Sequence, residues 1–274
     1  MEEKKVAVET KGLVHIYPRG NVKALKGVDL KIYENDVVSI IGQNGSGKTT
    51  IVRHFNGLLR PSEGQVFLFG EDTKEKTIGE MAQRCGYVFQ NPNHQIFCST
   101  VREELRVGLD NFGFPEEEKE ARIKEVVDLM GLENILDIHP MTLDYTTKKI
   151  VTIASVLVFA PEILILDEPT GGLDEVGRKM LTKIINMMHD RGHTVVMISH
   201  DMDYVAENSE RIVVMSQGEV IADGKPNEIF LMKEILDRAM IAPPQITSLD
   251  IALDGKGAAA LSVGDFVQKY GNHK

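Results

Sequence analysis

Short β-branched runs alternate with stretches of helical spacing along this chain, and that alternation predicts an α/β fold. Residues 37–41 (V-V-S-I-I), 163–166 (I-L-I-L) and 193–199 (H-T-V-V-M-I-S) are nearly continuous apolar runs, as expected of strands covered on both faces. Residues 4–10, 13–17 and 22–32 instead alternate polar and apolar side chains, the pattern of antiparallel strands with one wet face. Further strands are expected at 65–69, 86–90, 211–215 and 219–222, the last two joined by a Gln217-Gly218 turn. Helical spacing marks 48–58, 78–84, 145–158, 175–189 and 201–207. Ser99 or Thr100, with Glu103 or Glu104 near the third helical position, opens another helix. A further one starts after Pro115, runs through Ile123, Val126, Val127 and Met130, and stops at Gly131. Residues of about 92–160 thus form a helical insert between two core strands. From Pro226 the pattern breaks into short helical pieces at 227–232, 233–240, 248–253 and 262–270, interrupted by Ala242-Pro243-Pro244 and a glycine-rich turn. The expected division is a domain over 1–225 and an appendage over 226–274, either a helical cap on the core or a dimerisation or docking element.

A chain of 274 residues can bury a large core, and a net charge of −10 gives no reason to expect a nucleic-acid partner. No apolar run approaches the roughly 20 residues of a membrane helix, and the start of the chain lacks a signal-peptide core, so a cytoplasmic protein is expected. Cys85 and Cys98 are too few for a disulfide framework and are read as small hydrophobes.

The chemistry concentrates at the ends of the apolar strands. After 37–41 come Gly42-Gln43-Asn44-Gly45-Ser46-Gly47-Lys48-Thr49-Thr50, which fit the phosphate-loop pattern G-x-x-x-x-G-K-[ST] between a strand and a helix. Its glycines let backbone N–H groups wrap an anion at a positive helix end. Lys48 is placed to reach the β/γ-phosphates of a nucleotide, and the Thr49 hydroxyl to complete a Mg²⁺ shell. Asp167-Glu168 ends the strand 163–166; Asp167 is expected to hold Mg²⁺ directly or through water, and Glu168 to orient or deprotonate a water attacking the γ-phosphate. His200 ends the strand after that one and is placed to contact the γ-phosphate and bridge it to Glu168. Gln90 at the end of 86–90 reads as a Mg²⁺ or water contact, or as an ordinary polar strand end. Tyr17 reads as a stacking platform for adenine, or as a surface tyrosine. Asp174 caps the helix over 175–189.

Together these residues resemble an ATP-binding-cassette (ABC) ATPase over residues 4–224. The order matches: aromatic loop at Tyr17, Walker A from Gly42, Q-loop at Gln90, helical insert, Walker B ending at Asp167 with Glu168, D-loop ending at Asp174, and switch histidine His200. The resemblance implies ATP and Mg²⁺ as ligands, ATP hydrolysis coupled to transport, and a RecA-like parallel-sheet core with an antiparallel β subdomain and a helical insert. One part departs. Where the family carries L-S-G-G-Q to bind the γ-phosphate held by the other subunit, this chain has Leu143-Asp144-Tyr145-Thr146-Thr147. Asp144 puts a carboxylate where the hydroxyl belongs. At an effective dielectric of about 20, two like charges about 4 Å apart repel by roughly 4 kcal/mol. Tyr145 and Thr146 fill space that glycine leaves open. The composite site made with Asp144 and Thr146 is therefore expected to be weak or inactive, and a heterodimer with a partner bearing a normal signature is expected.

The run from Gly86 to Phe97 (G-Y-V-F-Q-N-P-N-H-Q-I-F) and Pro243-Pro244-Gln245-Ile246-Thr247 are similar to energy-coupling factor (ECF) transporter ATPases, importers of vitamins and metal ions, although that family usually has aspartate where Asn93 stands. This implies a second ATPase subunit, a transmembrane T subunit, a substrate-binding S subunit, and a peripheral place on the cytoplasmic face of the membrane. Glu103, Glu104 and Asp110 are expected to offer negative charge to basic coupling helices, or to be a solvated face. Alternative functions are a regulatory nucleotide-binding subunit with little turnover, or the ATPase of an ABC importer outside the ECF group.

Overall fold

The computed structural model describes residues 4–253 and 258–271. The chain opens with two long antiparallel strands, β1 (Val6–Tyr17) and β2 (Val22–Tyr33). The two strands expected before residue 18 are one. Gly12 adopts φ +55° and the register shifts between Thr10 and Leu13, a bulge that bends the strand while the ladder continues. β3 (Val37–Ile41) leads through the phosphate-loop residues into α1 (Lys48–Phe55). α1 ends before Leu58 because Gly57 turns the chain at φ +75°. β4 (Glu63–Leu68) and β5 (Glu71–Asp72) complete a four-stranded sheet of order β2-β1-β4-β5.

α2 (Ile78–Arg84) precedes β6 (Cys85–Val88), after which the chain leaves the sheet for the insert: α3 (Val101–Asn111), α4 (Glu116–Met130) and α5 (Tyr145–Leu157). A Thr100–Glu103 capping box starts α3, and Gly131 in the left-handed region ends α4. β7 (Ile163–Asp167), α6 (Glu175–Asp190), β8 (Thr194–Ile198), α7 (Met202–Asn208), β9 (Arg211–Ser216) and β10 (Glu219–Gly224) finish a six-stranded sheet of order β10-β9-β3-β8-β7-β6. All its neighbours are parallel except β10 against β9.

The apolar runs are explained by two cores, one on each face of this sheet. In β3, Val37 and Ile41 enter one core and Val38 and Ile40 the other; in β7, Leu164 and Leu166 oppose Ile163 and Ile165. The first core is completed by the insert helices and α6, the second by α1 and the antiparallel sheet. A strand buried on both faces has no polar positions to alternate.

α8 (Pro226–Ile229), α9 (Lys233–Ala239), α10 (Gln245–Leu253) and α11 (Val263–Tyr270) follow. Ile229, Phe230, Leu236 and Ala239 are buried in the first core. Asp250, fully buried, joins the last two helices by accepting from Ala260 N (2.8 Å), Lys269 Nζ (3.0 Å) and the Tyr270 phenol (2.6 Å). The glycine-rich turn expected between them lies at 254–257, outside the described residues. Among the described residues no helix is long and apolar enough to cross a membrane.

Candidate functional site

Four parallel strands deliver their C-terminal ends to one edge of the sheet, where open α/β sheets bind ligands. β3 ends in the phosphate loop, β7 in Asp167 and Glu168, β8 just before His200, and β6 just before Gln90. These groups line one cavity of about 500 Å³ together with Tyr17.

The loop is shaped by backbone that only glycine supplies cheaply. Gly42 and Gly47 have φ of +150° and +106°, and a Cβ on Gly42 would strike the Met215 carbonyl oxygen on β9. Gly45, at φ +78°, has open space on its side-chain face. Lys48 folds back over the loop, its ammonium donating to the carbonyl oxygens of Gly42 (2.6 Å) and Gln43 (3.0 Å). Burial lowers its pKa. The Ser46 hydroxyl is fully buried behind the loop, on the Gly42 face that meets Met215, with no hydrogen-bond partner among the described residues. Gln43 points its N–H elsewhere, to the Ala239 carbonyl oxygen at the end of α9 (3.1 Å). A positive helix end and an ammonium around a glycine loop fit a polyphosphate.

Asp167 is 5% exposed and is held by a group the sequence did not point to: the Tyr87 phenol on β6 donates to its Oδ2 at 2.6 Å. Its Oδ1 lies 3.5 Å from the Thr49 hydroxyl. Hard oxygen donors on a fixed carboxylate and a threonine in the first turn of α1 suit Mg²⁺, which takes only one or two protein ligands and fills the rest with water and phosphate. Gln90 is exposed and lines the wall of the same cavity.

Glu168 sits at φ +51°. Its N–H donates to the Ile198 carbonyl oxygen on β8 (2.9 Å), and its carboxylate accepts from the His200 backbone N–H at 3.2 Å. The His200 imidazole Nε2 is 3.0 Å from the other carboxylate oxygen. Burial raises the Glu168 pKa to about 7, which suits a group that accepts a proton near neutrality. The His200 pKa is lowered, first by burial and then by Lys48.

Tyr17 stands at the far side of the cavity, its hydroxyl 3.1 Å from that of Thr50. Behind it, His15 packs edge-on at 4.5 Å between ring centroids. His54 Nδ1 bonds the Thr50 carbonyl oxygen (2.7 Å), so it carries the proton, and His54 Nε2 accepts from His15 Nδ1 at 3.1 Å. Burial drops the His54 pKa to about 4. This buried imidazole pair ties the tyrosine strand to the phosphate-loop helix.

Asp144, Thr146 and Asp174 are not at this cavity. They line a second one of about 520 Å³ between α5 and α6. Asp174 caps α6 by accepting from Gly177 N at 2.8 Å. Asp144 caps α5: its carboxylate accepts from the Thr147 N–H (3.0 Å) and hydroxyl (2.5 Å), which lower its pKa. The N-terminus of α5 therefore already carries an anion of its own. Tyr145 lies against the backbone of Gly172, where a Cβ would come within 2.5 Å of its ring, and the Thr146 hydroxyl donates to the Gly172 carbonyl oxygen at 3.2 Å. Lys149, 1% exposed, donates to the carbonyl oxygens of Glu168 (2.7 Å) and Gly171 (2.9 Å).

The acidic face expected on α3 is different in kind. Glu104 is only 2% exposed and accepts from the N–H groups of Phe97 (3.1 Å) and Cys98 (2.9 Å). It shapes the loop after β6, where Phe97 is 74% exposed. Asp110 is paired with Lys119 and Arg106.

The ABC transporter family profile matches residues 25–171. The energy-coupling factor transporter ATP-binding protein EcfA of Methanocaldococcus jannaschii is 39% identical over 251 residues, 91% of this chain and 90% of that protein. The structure of cbiO1 from Clostridium perfringens, part of the ABC transporter complex cbiONQ, superposes with a TM-score of 0.75 at 34% identity, covering 86% of this chain and 94% of that one. The dimeric post-hydrolysis structure of the ATP-binding cassette MJ0796, bound to ADP and Pi, does so with a TM-score of 0.72 at 30% identity, covering 80% and 98%.

Proposed function

The chain belongs to the ABC transporter ATP-binding family as an ATP-hydrolysing transporter subunit, and we propose that it energises an ECF-type importer of vitamins or metal ions as one half of a heterodimer. Its place is then the cytoplasmic face of the membrane, bound to a transmembrane T subunit that accompanies a substrate-binding S subunit. In this reading the loop 42–50 and Lys48 hold the triphosphate of ATP while Tyr17 stacks on its base. Thr49, Asp167 and Gln90 would hold Mg²⁺, which neutralises phosphate charge when bound. Glu168 orients the attacking water and takes its proton, and His200 keeps the carboxylate aimed. ATP is shared by two cassettes only when they close, so it favours the closed pair.

The observation that carries the heterodimer is the contrast between the two cavities. The Walker side is assembled, whereas the α5 N-terminus that would face a partner's nucleotide is occupied by Asp144. A partner with an L-S-G-G-Q segment would complete one site on this chain's Walker residues. The test is purification from membranes through a tag on this chain. A second cassette and integral membrane subunits should co-purify, and ATP should drive uptake in vesicles containing them. Recovery of the chain as a homodimer with vigorous turnover would sink the proposal.

A further inference from the structure

We propose that Lys149 is a positioning residue for Glu168, holding the backbone of that acid in the conformation from which its carboxylate can meet water. The inference rests on the reading of Glu168 as the water-orienting group.

Lys149 lies in the second turn of α5 and is almost wholly buried. Among the described residues no acidic side chain forms an ion pair with it. Its recorded partners are the carbonyl oxygens of Glu168 and Gly171, at 2.7 and 2.9 Å, and the face of Tyr145, whose ring centroid is 5.9 Å away. The Glu168 and Asp167 carboxylates act on it only through space; a buried ammonium without a paired carboxylate is a poor stabilising device, and an apolar side chain of the same length would ordinarily serve packing as well. What this one does contribute is a charge-assisted bond to each of two carbonyls in the turn that leaves β7.

That turn needs holding. Glu168 lies in the left-handed region, a strained conformation for a non-glycine residue. Three contacts fix it. Its N–H is bound to Ile198, its carboxylate to the His200 N–H, and its carbonyl to Lys149. The first two come from β8 and from His200, two residues beyond it; the third comes from the insert. Lys149 is one turn along α5 from Tyr145 and Thr146, which touch Gly172 in the same loop. The helix whose start faces the partner therefore also grips the water-orienting carboxylate's residue in its own chain, and a shift of α5 is felt at Glu168 directly.

The test uses this chain co-expressed with a cassette bearing an intact L-S-G-G-Q signature, comparing Lys149→Met, Lys149→Gln and Glu168→Gln with wild type. Lys149→Met removes both bonds and is expected to lower kcat by about 10- to 100-fold, the scale of a slight misplacement of a reacting group, with KM for ATP changed by no more than about twofold. Lys149→Gln keeps N–H donors on a shorter stem and is expected to recover part of the loss. An unchanged kcat in Lys149→Met, while Glu168→Gln abolishes turnover, would overturn the inference. So would equal losses in both Lys149 variants accompanied by a matching rise in KM, the sign of a general structural role. Full turnover in Glu168→Gln would instead remove the reading of Glu168 on which the inference stands.

Discussion

The Tyr87 phenol donates to the Asp167 carboxylate at 2.6 Å across neighbouring strands, 80 positions apart in sequence. The bond leaves Asp167 Oδ1 facing Thr49 and fixes the carboxylate plane before any ligand arrives. Groups that orient a metal-binding carboxylate typically change metal affinity 10–100-fold when removed. Tyr87→Phe is therefore expected to raise the Mg²⁺ concentration for half-maximal ATPase activity by about tenfold, with metal-free nucleotide binding little altered. A magnesium titration of turnover in the two-cassette complex checks this.

The occupied α5 N-terminus gives a gain-of-function prediction. Rewriting Asp144-Tyr145-Thr146-Thr147 as Ser-Gly-Gly-Gln removes the capping carboxylate and the ring lying on Gly172. Relief of charge repulsion of a few kcal/mol at a phosphate corresponds to at least a tenfold effect. The rewritten chain, assayed alone as a homodimer, is expected to hydrolyse ATP about tenfold faster or more than the native chain alone.

His54 supplies a pH prediction for stability. Its folded pKa is about 4 against an ordinary 6.5, because burial disfavours the charged ring. The unfolded chain binds more protons there between pH 4 and 6.5, so this residue makes stability fall as pH drops through that window. From pH 7 to 5 the contribution is about 2 kcal/mol. Glu168 acts in the opposite direction, since its pKa of about 7 lets the folded state keep a proton that the unfolded chain releases above the ordinary carboxylate range. The His54 effect is thus isolated by difference. His54→Gln, which does not titrate, is expected to lose about 2 kcal/mol less than wild type between pH 7 and 5 in denaturant unfolding.

The parts of this molecule legible in the sequence are those encoded locally. A β-branched run followed by glycines, lysine and threonine specifies strand, loop and helix at once, and Asp167, Glu168 and His200 are found by asking what ends the buried strands. Lys149 was not legible, because nothing in a helix pattern says that a lysine beside Ile150 and Val151 will be roofed by the turn after β7. Glu104 reads as a surface charge until the loop carrying Phe97 and Cys98 folds onto it. The single strand β1 reads as two because a bulge at Gly12 interrupts the alternation without interrupting the ladder. In each case the missing information is a long-range contact, which local pattern does not carry.

Steady-state ATPase activity of this chain alone and with a cassette bearing a normal signature, each with and without Glu168→Gln, separates one productive heterodimer site from a working homodimer. Little turnover is expected alone and strong turnover in the pair, lowered on the order of 10²-fold or more by Glu168→Gln in this chain. Equal turnover alone and in the pair would contradict this expectation, as would an active pair indifferent to Glu168.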